Sequence, residues 1–298
     1  MMRDVILIRP PCEAFSLLIG VTEGCSWTQQ TGTGCRFCGI YAGVQDFRVR
    51  PWSRIKQDLD AGFRAHGPDV RTVFLAGGNA LHAPTDLICK VIEYIKKLFP
   101  KVERISCYAK NHDILQKSSQ ELGRIKEVGL NIVYMGLESG SGDVLRFMEK
   151  GTTPKGMVRA SRKIKDHGIQ LSVYVILGLG GNIFPDHAPE TAKVLSDMNP
   201  DYIRFRSINF IPGSRLHEDW KAGRFEALSP LEIIEEELEI IKQLDSCVTS
   251  KILNDHVSNY TRVEGNLPED KEYIISTLKS LASDPNLRRM KHVNRTSM

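Results

Sequence analysis

At 298 residues, with 41% hydrophobic and 26% charged side chains, the chain can form one large domain or two average ones and has an ordinary globular composition. A net charge of +4 does not by itself call for nucleic acid, and no stretch approaches the ~20 apolar residues of a membrane span. The start, Met1 to Arg9, lacks the apolar run and cleavage site of a secretory signal, so a cytoplasmic protein is expected.

Val5–Ile8 reads as a short strand stopped by Pro10 and Pro11, with Cys12 a structural thiol behind it. Leu17–Thr22 is a second apolar run, leading into a loop rich in Gly and Thr that carries Cys25, Cys35 and Cys38. Phe47–Arg50 then leads through Pro51 into a helix over 53–66. From there the pattern alternates. Strands are expected over 70–75, 103–108, 131–137, 171–177 and 202–208, and helices over 85–98, 118–128, 143–150, 154–167 and 187–198. Gly129 and Gly168 stand where helix C-terminal caps belong.

Near-continuous apolar strands alternating with helices predict an α/β fold, a parallel sheet covered by helices, doubly wound or closed as a barrel. Ligands in such folds gather at the carboxyl ends of strands. Four strand ends here carry polar or glycine-rich groups: the cysteine loop, Gly77–Asn79, Glu138–Ser139 and Gly178–Gly181. After Arg215 the alternation is expected to stop, giving a core over 1–215 and a mainly helical extension over 216–298 packed on it. That extension holds an acidic helix over 226–245 with Ser229 as N-cap, and a last helix over 270–283. The basic end, Leu287 to Arg295, reads as a solvated terminus.

Seven cysteines, an odd number, fit reduced thiols and a metal site better than a disulfide framework. Three of them share the spacing Cys25-x9-Cys35-x2-Cys38. A structural zinc wants four protein ligands, and a fully ligated iron–sulfur cubane wants four thiolates. Three thiolates leave one iron of a [4Fe–4S] cluster open to bind and reduce a ligand. Taken alone, the residues leave two other readings open: buried apolar fillers, or zinc ligands with a histidine as the fourth.

The three cysteines, Gly77-Gly78, Gly136-Leu-Glu-Ser139, Gly142-Asp-Val-Leu145, Met148-Glu-Lys-Gly-Thr-Thr153 and Val175-Ile-Leu-Gly-Leu179 together resemble a radical S-adenosylmethionine core, over roughly residues 15–212. The type resembled is that of the elongator subunit and anaerobic coproporphyrinogen oxidase. The nine-residue gap departs from the family's commonest Cys-x3-Cys-x2-Cys and is similar to the elongator-type tRNA-modifying subunit. The resemblance implies a partial or six-stranded (βα) barrel, a [4Fe–4S] cluster on Cys25, Cys35 and Cys38, and S-adenosylmethionine chelated at the open iron. Reductive cleavage of the sulfonium would then yield methionine and a 5′-deoxyadenosyl radical that acts on a small metabolite or cofactor precursor.

By the same resemblance Phe37 lies beside adenine, and Gly77 and Gly78 accept the methionine ammonium, with Asn79 where the family has Glu. Glu138 and Ser139 are implied at the ribose or amino group, Lys150 at the methionine carboxylate, and Ile176 and Gly178 around adenine. The residues also admit plainer roles: a left-handed turn for Gly77–Asn79, a helix-end lysine, and buried core. Outside the core, His256, Asn259 and Tyr260 are expected to face substrate from a polar loop. Cys247 is a candidate thiyl donor or second-metal ligand, while Cys89 and Cys107 read as core. No residue is assigned a catalytic role. The implied partners are a small-molecule substrate and an electron donor such as flavodoxin or ferredoxin. Modification of RNA is the alternative, though the chain lacks a strong basic stripe. A non-catalytic metal-binding protein is a third reading.

Overall fold

The computed structural model describes residues 8–41 and 46–294, apart from the side chain of Arg288. The strand expected over Val5–Ile8 therefore lies, but for Ile8, outside the described residues. In chain order the elements are β1 (Leu17–Gly20), β2 (Thr22–Glu23), α1 (Ser26–Thr31), β3 (Arg48–Val49), α2 (Trp52–His66), β4 (Thr72–Ala76) and α3 (Thr85–Leu98). There follow β5 (Arg104–Ala109), α4 (Asn111–Gln116), α5 (Ser119–Val128), β6 (Ile132–Glu138), α6 (Gly142–Phe147), α7 (Pro154–Asp166) and β7 (Gln170–Leu177). The chain ends with α8 (His187–Met198), β8 (Tyr202–Ser207), α9 (Arg215–Lys221), α10 (Pro230–Gln243), β9 (Lys251–Leu253), β10 (Gly265–Asn266) and α11 (Lys271–Ala282). Parallel strands joined by helices bear out the α/β class. Among the described residues, no helix is long and apolar enough to cross a membrane.

Two compact units emerge, one of Met1–Gly34, Tyr41–Met135 and Arg162–Leu171, the other of Cys35–Ile40, Gly136–Ser161 and Ser172–Met298. In the first, β1 pairs parallel with β4 (Leu17 beside Val73), β4 with β5 (Thr72 beside Arg104), and β5 with the start of β6 (Ser106 beside Ile132). Val73, Phe74, Leu75, Ile105, Cys107, Val133 and Met135 are buried without alternation, as a parallel sheet covered on both faces requires. Helix α3 contributes Ile88, Val91, Ile92 and Ile95 to this core, and α5 contributes Leu122 and Ile125. Ser118 and Glu121 close a capping box at the start of α5.

A buried carboxylate sits in this unit. Glu13, with no exposed surface, accepts from Ser106 Oγ (2.9 Å), Tyr134 Oη (2.8 Å), Arg104 Nη2 (3.2 Å) and Ser16 Oγ, so its charge is compensated by four donors. Cys12 Sγ lies 3.3 Å from Tyr134 Oη, the structural place expected for it. Cys89 and Cys107 are buried, and burial pushes both thiols up, so they are core as expected.

In the second unit β7 pairs parallel with β8, Ser172 beside Tyr202 through Leu177 beside Ser207. The alternation then continues past residue 215, against expectation: β8–α10–β9 is another parallel step, with Ile203 beside Ile252, and β10 closes on β9 antiparallel. Three residues of strand are too few for a periodic signal. Ser229 caps α10 as expected, accepting from Glu232 N. The segment over 289–294 is mostly exposed, as expected of a solvated terminus, but is held at two residues. Asn294 exchanges two 2.8 Å hydrogen bonds with the Phe210 backbone, and His292 sets its ring edge on Phe210 at 5.1 Å.

Glu237 on α10 is buried, accepting from Asn254 Nδ2 (2.5 Å) and Thr261 Oγ1 (2.9 Å). Burial raises its carboxyl pKa from 4.5 to about 7, and two hydrogen bonds offset only part of that. A raised folded-state value means that the unfolded chain releases the proton first, so this site's stability is full below 4.5 and is lost as pH rises through 7. Glu237→Gln, which mimics the protonated acid, its oxygen accepting from Asn254 and its N–H donating to Thr261 Oγ1, never ionises and is expected to match wild type at about pH 4 and to exceed it by about 3 kcal/mol at about pH 8. Urea melts at the two pH values check this; a constant difference between the proteins would contradict it.

Candidate cofactor and cluster site

Cys25 stands at the N-cap of α1 in extended geometry (φ −128°), and its carbonyl accepts from Gln29 N at 3.1 Å. The gap between the first two cysteines is therefore not all loop. Ser26–Thr31 contains no Gly or Pro, so the chain winds into one and a half turns until Gly32 ends it in left-handed geometry. Backbone closeness fixes what lies beside Cys25. Gly78 N donates to Gly24 O at 3.0 Å, and a Cβ on Gly78 would fall 2.4 Å from that oxygen and 3.0 Å from Cys25 Cβ. Gly78 is thus required by the approach of two strand ends.

Asn79, also fully buried, is spent on internal bonds. Its Oδ1 accepts from Ser26 N (3.3 Å), and its Nδ2 donates to Ser26 Oγ (2.8 Å) and to both Asp113 oxygens (3.0 Å each). The Asn79 side chain, expected at a cofactor, holds Ser26 and Asp113 in this structure. Asp113 also accepts from Lys110 N (2.7 Å) and is bonded to His82 Nδ1 (2.8 Å). His82 and Asp113 carry no short sequence signature; only their place after β4 and β5 could have flagged them.

In the second unit, Cys35 and Cys38 form one turn, Cys38 N donating to Cys35 O at 3.1 Å. Arg36 inside it is the most connected side chain there. Its Nε donates to Phe147 O (2.9 Å), Nη1 to Asp219 (2.7 Å) and Nη2 to Glu149 (2.8 Å), while the guanidinium lies 5.0 Å over the Phe147 ring. Its backbone is held as well, N to Met148 O at 2.8 Å and O from Leu216 N at 2.9 Å. Glu149 pairs in addition with Arg215 at 2.7 Å and Asp219 with Arg224 at 2.8 Å. Burial raises both carboxyls, but the arginines outweigh it and hold both below the usual range.

The same turn carries Phe37, and 5.7 Å over its ring lies Lys150 Nζ, ion-paired at 2.7 Å to Glu138. Lys150 lies beyond α6 and answers a carboxylate, not a helix end. Glu138, the last residue of β6, has φ +64°, rare for any residue but Gly, Asn or Asp. Gly136 makes the fold-back possible: a Cβ there would lie 2.8 Å from Lys150 Nζ and would overlap the Glu138 carboxylate. Ser139 is buried, its Oγ accepting from Ser141 N at 2.9 Å. Ile176 is buried, and Gly178 N donates to Glu236 Oε2 at 2.5 Å, the other oxygen of which meets His187 Nδ1 at 2.6 Å.

The loop over 256–260, expected to face substrate, is bonded into the fold. Asn259 accepts from Ser207 N (2.7 Å) and donates to Phe205 O (2.8 Å) and Asn254 Oδ1 (2.9 Å), stitching the loop to β8. Tyr260 Oη meets the Val293 backbone, and His256 pairs with Ser258 Oγ at 2.7 Å. Burial, with Arg206 adding to it, lowers the His256 pKa to about 4. These three side chains serve the fold. Cys247 is exposed, neither a buried filler nor placed with other ligands.

All seven cysteines are thiols, and Cys25, Cys35 and Cys38 are half-buried where Cys89 and Cys107 are buried. Among the described residues no three His, Cys, Asp or Glu side chains are grouped to hold a metal ion. A cubane asks for something else, since each of its thiolates ligates a different iron. The chemistry of the donor set, three accessible soft thiols, fits such a cluster.

Comparison with known proteins gives the context. The family model described as Radical SAM superfamily matches residues 19–195, more than half of the chain. The tRNA uridine(34) acetyltransferase of Methanocaldococcus infernus is 24% identical over 120 residues, which are 40% of this chain and 22% of the relative. Among solved structures, the archaeal Methanocaldococcus infernus Elp3 superposes with a TM-score of 0.53 at 15% identity, over 90% of this chain and 64% of that one. Methylornithine synthase superposes with a TM-score of 0.54 at 16% identity, over 91% and 82%. These likenesses show the fold, the α/β partial barrel of that superfamily.

Arg36→Ala is expected to destabilise the chain by about 2 kcal/mol, because it strips charge-assisted bonds from Asp219 and Glu149 and one from the Phe147 carbonyl. Arg36→Lys, a point charge without the fork, should recover less than half. Urea denaturation measures both, and thiol-reagent labelling should show Cys35 and Cys38 reacting faster in Arg36→Ala.

Proposed function

The chain belongs to the radical SAM superfamily and is an enzyme, and on that premise we propose that it carries a [4Fe–4S] cluster on Cys25, Cys35 and Cys38 and uses S-adenosylmethionine to act on a small metabolite or cofactor precursor. Members of the superfamily use that cluster and cofactor, whose contribution when bound is one-electron reductive cleavage of the sulfonium. A flavodoxin or ferredoxin supplies the electron.

The observation that carries this reading is the Glu138–Lys150 pair beside Phe37. The methionine end of the cofactor is a zwitterion. Glu138 and Lys150 offer it the two opposite charges, already neutralised against each other and mostly withdrawn from water, and Phe37 offers adenine an aromatic face. The strained φ of Glu138 supports the same reading, since backbone strain persists where a side chain must be aimed. Gly77 and Gly78 bring backbone, not side chains, to the neighbourhood of Cys25. Ser139, Ile176 and Gly178 belong to the surrounding wall.

Modification of RNA is the second reading, favoured by the tRNA enzyme among the relatives; the chain spans only 22% of that protein's length. Anaerobic reconstitution tests both. About four irons and matching sulfide per chain are expected, with 5′-deoxyadenosine released on adding reductant and S-adenosylmethionine. Cys35→Ala should lose both, and Cys89→Ala neither. Stimulation of that release by a metabolite extract supports the first reading, and stimulation by total tRNA the second. One zinc per chain without sulfide would sink both.

A further inference from the structure

The residues between Cys25 and Cys35 do more than separate two thiols. Helix α1, which they form, is one wall of a cavity of about 350 Å³ within the first unit, close to the lower end of what small-molecule sites enclose. Trp27, Gln29 and Gln30 line it from α1, His82 from the turn after β4, and Lys110 and His112 from the start of α4. Its floor begins at Ser26, one residue beyond Cys25. Nothing in the site described above uses it.

The chemistry of the wall is specific. Asp113 is the one carboxylate among the lining residues, and it is committed: Asn79, Lys110 N and His82 surround it, and it is only 3% exposed. Its bond to Nδ1 makes that nitrogen the donor and fixes the His82 tautomer, so Nε2 is left as an acceptor for an O–H or N–H of a ligand. Phe47 packs edge-on against the same ring at 5.0 Å. Lys110, the lining residue that carries positive charge, lays its ammonium 4.3 Å over the Trp27 ring, which holds a long flexible side chain in place before any ligand arrives. Burial, reinforced by Lys110, lowers the His112 pKa, so that imidazole is neutral. One ammonium and three amides, Gln29, Gln30 and Gln116, with a satisfied carboxylate behind them make a wall that favours an anionic group, and the His82 Nε2 acceptor suits a guest that also carries an O–H or N–H.

We propose that this cavity is the substrate pocket of the enzyme, taking a small polar molecule that bears a carboxylate or phosphate group, with Lys110 binding that group and His82 Nε2 accepting from an O–H or N–H of the same molecule. The proposal rests on the small-metabolite reading above and deepens it. It also gives the nine-residue spacing a purpose, since a gap of three residues leaves no chain to build α1.

The test is a titration of the full-length chain with inorganic phosphate and, separately, with succinate, followed by tryptophan emission. A guest that engages Lys110 changes the surroundings of Trp27, so a saturable change in emission is expected, absent in Trp27→Phe. Lys110→Met should weaken it about tenfold or more, the worth of one hydrogen bond to a charged group. The probe that binds identifies the anionic group as phosphate or carboxylate. No saturable change with either probe in folded wild type overturns the proposal, as does Lys110→Met binding as tightly as wild type. Circular dichroism of each variant separates lost binding from lost fold. Repeating the titration on Cys35→Ala keeps the two readings apart: binding that persists there supports the pocket whatever becomes of the cluster, and iron-loaded protein that releases 5′-deoxyadenosine but binds neither probe refutes the pocket alone.

Discussion

The Arg36 guanidinium is the constraint on which the cysteine turn depends. A residue between two closely spaced thiols has little sequence in which to be anchored, and the Cys35–Cys38 turn closes on the short bond from Cys38 N to Cys35 O. Its rigidity is borrowed. Arg36 collects a carbonyl, two carboxylates and an aromatic face, and all of them come from segments far along the chain: Phe147 at the end of α6, Glu149 just after it, and Asp219 on α9. Arginine alone among side chains presents five donors in a planar fork, so one side chain can fix the turn in two directions at once. Glu149 and Asp219 would be costly to bury singly, and each is shared with a second arginine. The result is an alternating charge network in which every carboxylate has two cations.

That network also locates Lys150. Glu149, held by Arg36 and Arg215, adopts φ +51°, and the residue after it turns back to reach Glu138. Two strained acidic residues thus bear on one lysine, Glu149 as its neighbour in sequence and Glu138 as its ion-pair partner. Strain of this kind costs on the order of 1–3 kcal/mol per residue and survives only where the surroundings over-determine the geometry. For Glu138 the surroundings are β6 behind it, Gly136 leaving room for its carboxylate, and the ammonium in front. A polar pair could have been satisfied more cheaply at the surface; keeping it at a strand end, beside Phe37, makes sense for a site that must receive charge.

What could be read from sequence followed from length and burial. The strands over 72–76, 104–109, 132–138, 170–177 and 202–207 are long, apolar and β-branched, and their helices are capped by Gly129 and by the Ser118 and Ser229 boxes, so they are legible within a few residues. Helices α1, α4 and α9 have six or seven residues, fewer than two turns, and show no period. β9, at three residues, gives no signal beyond its neighbours. Side-chain networks are harder still. Asn259 reads as a loop residue available to substrate because its partners, Phe205, Ser207 and Asn254, are recognisable only once β8 lies beside it. The basic chain end misled for the opposite reason: its charges drew the reading, while Asn294 and His292 within it meet Phe210.

Asn79 shows how one departure from a family pattern can propagate. Where the resembled family places Glu, this chain has an amide whose two N–H groups both reach Asp113 or Ser26. A Glu there would set a second carboxylate against Asp113 in a buried place, where like charges cannot both be ionised cheaply. Asn79 and Asp113 are therefore coupled choices. Asp113 in turn fixes the tautomer of His82 and caps the turn that presents Lys110, and Ser26, held by the same amide, starts the helix that the long cysteine gap makes possible. The missing carboxylate, the extra residues between Cys25 and Cys35, and the polar cavity beside them are three consequences of one arrangement of hydrogen bonds.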